Sequence, residues 1–283
     1  MSRYSRSMAK KSLPIILFSL LFACGCLKVE PTYKRTNIAR TFQRIFKQEY
    51  DLDVKVFAFE RTVWVYVPIE DFFTSQNQEN QNTVRRVFQV IERVLLSMDK
   101  PFDFYGIIIS SIKNKGIDFW EIGTTDDLRK FMFYFISYKE LTERIITIED
   151  FNPAALGDKT GRHIQVFDLD MPEFISLLLT QKLYKIFTAG LKHKNILTVK
   201  KIKVFFTPGN KRFNIELDIK IQAKKSKRGD IEKDIFNASL SELKKIINLY
   251  DYKDFVSVSL QNKSTSKGRF FTRQAFLSQC FLK

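Results

Sequence analysis

The order of periodic segments constrains this chain more than any other feature: helix, hairpin, helix, hairpin occurs once and then occurs again. In the first half, residues 37–49 place Ile38, Phe42, Ile45 and Phe46 on one helical face. Residues 54–59 and 63–67 alternate as strands around a tight Glu60-Arg61 turn. The polar stretch 74–82 ends at Asn82, which can cap a helix running to about Met98 that buries Val84, Val87, Phe88, Ile91, Val94 and Leu95. Strands 104–111 and 117–122 follow, and an aromatic helix, 127–138, closes the half. In the second half, Asp170 and Pro172 open a helix that runs to Gly190. Residues 199–206 and 212–223 form a hairpin around Thr207-Pro208-Gly209-Asn210. Its second strand sets Phe213, Ile215, Leu217, Ile219 and Ile221 against Asn214, Glu216, Asp218, Lys220 and Gln222, a strand with one wet face. Asp230 then caps a helix to Leu249, with strands 255–260 and 269–272 to follow.

The offsets between halves are nearly constant: Val54 to Ile202 and Leu95 to Leu243 are both 148, and Gly116 to Gly268 is 152. The expected fold class is therefore α+β: two similar helix–hairpin–helix–hairpin units with helix-backed antiparallel sheets. The first unit spans 37–150 and the second 171–283. The connector 151–170 contains Asn152-Pro153 and two glycines, which break any helix. Composition agrees with a packed body. Of 283 residues, 45% are hydrophobic and 28 are Phe, which excludes disorder as the dominant state and suffices for a core. Three Cys are too few for a disulfide framework or a four-thiolate zinc site.

The N-terminus reads as an address. Arg3, Arg6, Lys10 and Lys11 form an acid-free basic segment, and 13–23 is a short apolar run. That run is well below the ~20 residues a membrane-spanning helix needs. Cys24-Gly25-Cys26 follows directly. This arrangement resembles the signal and lipobox of bacterial lipoproteins, in which a Cys behind a small residue is lipidated and becomes the first residue of the mature chain. Leu21-Phe22-Ala23-Cys24 has the leading Leu and the small Ala, although Phe22 is bulkier than the family usually has. Ala23-Cys24-Gly25-Cys26 has the small Gly without the Leu. Cys24 is the preferred lipidation site and Cys26 the alternative. The resemblance covers only the first 26 residues. It implies a signal peptide, 1–23, a tether, 24–36, and acyl chains such as palmitate on a cell membrane or outer membrane, with the body outside the cytoplasm. Gly25 or Leu27, being other than Asp, implies outer-membrane sorting in a two-membrane bacterium. Each buried acyl methylene contributes about 0.8 kcal/mol, so more than one chain is needed for stable attachment.

Charge then selects partners. The chain carries 47 Lys+Arg against 31 Asp+Glu, and loss of 1–23 removes four cations and no acid, leaving a body near +12. A cytosolic protein of that charge would suggest nucleic acid. Behind an export signal, anionic lipid or an anionic envelope polymer is the expected partner, and nucleic acid is not. Lys224, Lys225, Lys227 and Arg228, read as a loop, are the candidate contact with such a surface. The run Phe131-Met132-Phe133-Tyr134-Phe135-Ile136 surrounds a helix with apolar groups, so it must be buried between the halves or docked on a partner protein.

Chemical motifs are absent. His163 and His193 have no partner at metal-ligand spacing and read as structural or solvated groups. Asp168 and Asp170 read as caps, and Glu140 and Glu143 as a solvated face. Residues 157–161 lack the glycines of a phosphate-binding loop. No catalytic residue, metal or cofactor is expected. The chain reads as a membrane-anchored cell-envelope lipoprotein with a binding or scaffolding role. The alternative is an envelope enzyme acting on wall or lipid substrates, which paired carboxylates of perturbed pKa would favour.

Overall fold

The computed structural model describes residues 32–70, 78–113, 116–191 and 194–281. Among them it is α+β, with seven helices and two sheets. Helix α1 (Ile38–Tyr50) buries Ile38, Phe42, Ile45 and Phe46, as the spacing predicts, and ends at Asp51 in the left-handed region. Strands β1 (Lys55–Ala58) and β2 (Thr62–Ile69) form the first hairpin, closed by Phe59 N–H donating to Thr62 O at 2.9 Å. Helix α2 (Gln78–Leu96) crosses to β3 (Phe104–Ser111), which turns into β4 (Ile117–Thr124). Short helices α3 (Thr125–Met132) and α4 (Tyr138–Arg144) lead to β5 (Ile146–Phe151) at the sheet edge.

The second sheet begins with α5 (Met171–Lys185). There Asp170 and Glu173 form a reciprocal capping box, with Pro172 in the first turn. A π turn, Ile186–Gly190, ends that helix. Strands β6 (Leu197–Thr207) and β7 (Arg212–Ile221), helix α6 (Lys225–Leu249), strands β8 (Ser257–Asn262) and β9 (Lys267–Thr272), and helix α7 (Arg273–Ser278) complete the chain.

Four expectations need correction. The sheets are mixed, because β2 pairs parallel with β3 and β7 parallel with β8. The reason is the crossover: a helix between hairpins returns the chain to the end at which the previous strand began, and that produces parallel neighbours. Helices α2 and α6 begin ahead of Asn82 and Asp230, at Gln78 and Lys225, so neither residue is a cap. The expected aromatic helix over 127–138 stops at Met132. Residues 146–151 form an unforeseen edge strand.

The elements stack as helix, sheet, helix, sheet. Val63, Val65, Val67, Ile107 and Ile109 pack on α1 and α2 in one core. The opposite face of the first sheet, with Trp64, Tyr66, Phe104 and Ile108, enters a second core shared with α5, α6 and Phe213, Ile215, Leu217 and Ile219 of β7. The first sheet is thus covered on both faces, whereas β7 alternates between buried and half-exposed positions, the one wet face its pattern predicts.

Residues 152–170 run along β2 rather than away from it. Trp64 Nε1 donates to Phe167 O at 2.7 Å and the Tyr66 hydroxyl to Asp158 O at 2.6 Å. Arg61 N donates to Asp168 Oδ1 at 2.9 Å, and Leu169 N to the Thr62 hydroxyl at 2.8 Å. Two glycines permit this approach. Gly161, at φ +69°, sits where a β-carbon would come within 2.9 Å of the Tyr66 ring. Gly106 faces Trp64 across the parallel pair, and a β-carbon there would overlap the indole. Gly106→Ala is therefore expected to lower the unfolding free energy by about 2–3 kcal/mol, as overpacking does. Gly209→Ala, in open space, should leave it nearly unchanged. Chemical-denaturation midpoints of the two variants check both.

Candidate functional site

Cys24, Cys26 and His193 lie outside the described residues. Lys224, Lys225, Lys227 and Arg228 do not form a free loop. Lys224 precedes α6 and the other three lie in its first turn, with Lys227 N on Lys224 O at 3.0 Å and Arg228 Nε on Ala223 O at 2.8 Å. The side chains of Lys224, Lys227 and Arg228 are exposed. Like charges beside the positive end of a helix dipole are mutually unfavourable, so packing rather than local propensity sets this helix start. Asp170 caps α5 as expected, while Asp168 instead accepts the Arg61 amide of the first hairpin turn. Glu140 is more than a solvated residue: it completes a capping box with Ser137 at the start of α4.

The densest polar cluster joins β3, β4 and the segment after β5. His163, 4% exposed, has Nδ1 2.7 Å from Asp158 Oδ2 and Nε2 3.2 Å from Asp118 Oδ1. Asp118 also accepts the Ser110 hydroxyl and, at 3.0 Å, Asn152 Nδ2. Asp158 accepts the Thr160 hydroxyl and the amides of Thr160, Gly161 and His163. Desolvation alone would raise the Asp158 carboxyl, but the hydrogen bonds from Thr160 and His163 outweigh it and hold the group well below the usual carboxylate range. Burial pushes the neighbouring Tyr66 phenol up to about 12. Although Ser, His and Asp meet here, the hydroxyl of the fully buried Ser110 donates to Asp118 and not to His163. The two carboxylates flank opposite ring nitrogens, so they share no point where a cation could sit. Among the described residues no three ligating side chains are placed to hold a metal ion. The cluster clamps residues 152–163 onto the sheet. Asp118 lies 45 residues from His163 and carries no local signal. The Asp158–Gly161 turn could have been read from an Asp two residues before a Thr.

A second pair of acids lies under α2. Burial, and then the charge of Glu92, pushes the Glu121 carboxyl up to about 8, and burial raises Glu92 as well.

The third feature is apolar. The aromatic run, expected to be buried between the halves or docked on a partner protein, is not buried: it continues past α3 into a turn where Phe133, Tyr134 and Phe135 are 64%, 94% and 78% exposed. Phe135 N donates to Lys130 O at 2.8 Å and Tyr134 N to Phe131 O at 2.9 Å. These bonds end the helix with a left-handed residue, a position glycine usually fills. Here it is Tyr134, at φ +60°. Met132 and Tyr138 extend the exposed patch, with Tyr138 against the Phe131 ring at 6.3 Å.

No family profile, curated protein or solved structure matches the chain. Among the described residues no helix is long and apolar enough to cross a membrane.

The two carboxyl environments predict opposite pH limbs. Asp158 is lowered relative to an unfolded Asp near 3.9, so its stabilisation is complete above about pH 4 and is lost as the pH falls further. Glu121 is raised above an unfolded Glu near 4.3, so stability declines as pH rises from about 4 towards about 8. Thermal melts across this range should show Asp158→Asn flattening the acid limb and Glu121→Gln flattening the upper one.

Proposed function

We propose that this chain is a membrane-anchored cell-envelope lipoprotein with a non-catalytic binding or scaffolding role. Acyl chains on Cys24, or alternatively Cys26, hold it on the cell membrane or outer membrane, with the body outside the cytoplasm. The observation that carries the binding role is the aromatic turn at 133–135. Three adjacent large side chains that face water are an interaction surface by default. Tyr134 holds them there in a backbone conformation that costs a bulky residue about 1–2 kcal/mol, and strain of this kind concentrates at functional positions. Aromatic side chains flanked by cations suit the headgroup region of a bilayer, and Lys130 and Lys139 flank these. The turn would then be a second membrane contact beside the acyl chains.

The same reading treats the two halves as copies of one unit. The backbone around each parallel pair supports it. Arg61 O accepts from Phe104 N at 3.1 Å and Asp103 O from Thr125 N at 3.0 Å; Lys211 O accepts from Val256 N and Val256 O from Arg273 N, both at 2.8 Å. Thr124 caps α3 and Thr272 caps α7. Stacking then covers the back of the first sheet and leaves the matching face of the second available, where Lys203 lies over Phe205 and Arg212 over the exposed Phe270.

The alternative reading, an envelope enzyme acting on wall or lipid substrates, is favoured by Glu92 and Glu121, two carboxyls with raised pKa values.

Intact mass of protein extracted from membranes is expected to carry acyl chains that Cys24→Ala abolishes and Cys26→Ala does not; an acyl-free mass for the unaltered chain would overturn the anchor. Tyr134→Gly should raise the unfolding free energy by about 1 kcal/mol. In the acyl-free Cys24→Ala/Cys26→Ala background it should also weaken flotation with anionic vesicles. Undiminished flotation of Phe133→Ser/Tyr134→Gly/Phe135→Ser would rule out the turn as a membrane contact.

A further inference from the structure

A cavity of about 490 Å³ opens where the first hairpin turn, the start of α3, the start of α5 and the end of α6 converge. Its size is that of a small-molecule site. Three features of its wall point to the same class of ligand. First, Arg61 and Arg129 both line it, and among the described residues neither guanidinium has a carboxylate partner, while Lys130 is paired with Asp126 at 2.7 Å. Of the acids in the wall, Asp251 is held by Lys253 at 2.8 Å, so only Asp103 stands against the two arginines. Second, Thr125 lines the cavity at 2% exposure, and its hydroxyl is the buried side-chain oxygen that lacks a hydrogen-bond partner among the described residues. Native proteins rarely leave such a group orphaned unless a ligand, an ion or an ordered water completes it. Third, α3 starts in this wall; its Thr125 and Asp127 amides are taken by Asp103 O and Thr124 Oγ1, both at 3.0 Å, so what the helix start contributes is its dipole, which favours an anion.

We infer that this cavity binds a phosphate ester. Two planar guanidinium forks match oxyanion geometry. Together with the Thr125 hydroxyl they offer more donors than a carboxylate with two oxygens requires, and the phosphoryl group of a monoester has three. With Asp126 paired to Lys130 and Asp251 to Lys253, the two arginines against Asp103 leave one positive charge in excess, which favours an anion over a neutral ligand. Phe104, Met171 and Leu249 supply an apolar wall for the organic remainder. This site is separate from the aromatic turn, which lies at the other end of α3, and it does not depend on the turn touching a membrane.

A soluble ester and a lipid headgroup share this chemistry. The full chain in its Cys24→Ala/Cys26→Ala form is titrated calorimetrically with glycerol 3-phosphate, and floated with vesicles containing phosphatidic acid. Saturable one-site binding of glycerol 3-phosphate is expected, weakened roughly tenfold or more by Arg61→Gln and by Arg129→Gln. Lys55→Gln, exposed on the edge strand β1, should bind like the unaltered chain, and melting temperatures confirm that each variant is folded. If only vesicles bind, and both arginine variants lose that binding while Phe133→Ser/Tyr134→Gly/Phe135→Ser keeps it, the source is the headgroup. The inference is overturned if neither probe binds saturably, or if the arginine variants bind as the unaltered chain does. Vesicle binding lost only in the aromatic-turn variant would likewise overturn it, while leaving the aromatic contact intact.

Discussion

The architecture depends on the second face of β2. A sheet with one covered face would need only α1 and α2, which bury Val63, Val65 and Val67. Trp64 and Tyr66 point the other way, and each is both a large apolar surface and a hydrogen-bond donor. Their donors meet Phe167 O and Asp158 O, so covering the sheet and satisfying its polar atoms are achieved by one segment, 152–170. That segment ends at the Asp170 cap of α5, and the helix it launches forms the layer between the sheets. The layering follows from two side chains that cannot be left exposed.

Polar chemistry serves the same end. His163 between Asp118 and Asp158, with Ser110 and Asn152 completing the acceptors, resembles catalytic machinery in composition alone. Its connectivity is that of a clamp: Asp118 on the sheet meets Asn152 and His163 of the segment, Asp158 folds the segment on itself, and the serine hydroxyl donates to Asp118. A second polar bridge ties the halves together. Asp127 accepts Arg144 at 2.7 Å and the Tyr250 hydroxyl at 2.8 Å, and burial, reinforced by the Asp127 charge, pushes the Tyr250 phenol far up. Buried charges persist where they are paired and hydrogen-bonded, and both oxygens of Asp118 and of Asp127 accept at least one donor. Among the described residues the Thr125 hydroxyl, beside this bridge, has no partner, which is why the cavity it lines stands out.

Helix α3 links the two proposed binding features. Its start borders the cavity through Thr124 and Thr125, and its end presents Phe133, Tyr134 and Phe135. A regular helix of eight residues spans about 12 Å, so an anion site and an apolar contact are held at fixed separation by one rigid element.

Periodicity made much of the fold legible. The burial of Phe42 and Phe46 in α1, the alternation of Phe213 to Ile221 in β7 and the Asp170 cap of α5 follow from local spacing, because side-chain direction in helices and strands repeats with a fixed period. Strand direction was not legible: pattern reports which face is buried but not which end of the sheet a crossover returns to, so the parallel pairs escaped it. The aromatic run at 131–136 misled for a related reason. Composition measures how apolar a segment is, whereas a left-handed residue at Tyr134 decided that it leaves the helix and faces water. The meeting of Asp118 with His163, and of Arg61 with Arg129 in one wall, joins residues 45 and 68 positions apart. The sequence by itself determined the elements and their buried faces, because these depend on neighbours a few residues away. The tertiary structure alone decided the clamp, the cavity and the exposed turn, because each depends on which distant surfaces packing brings together.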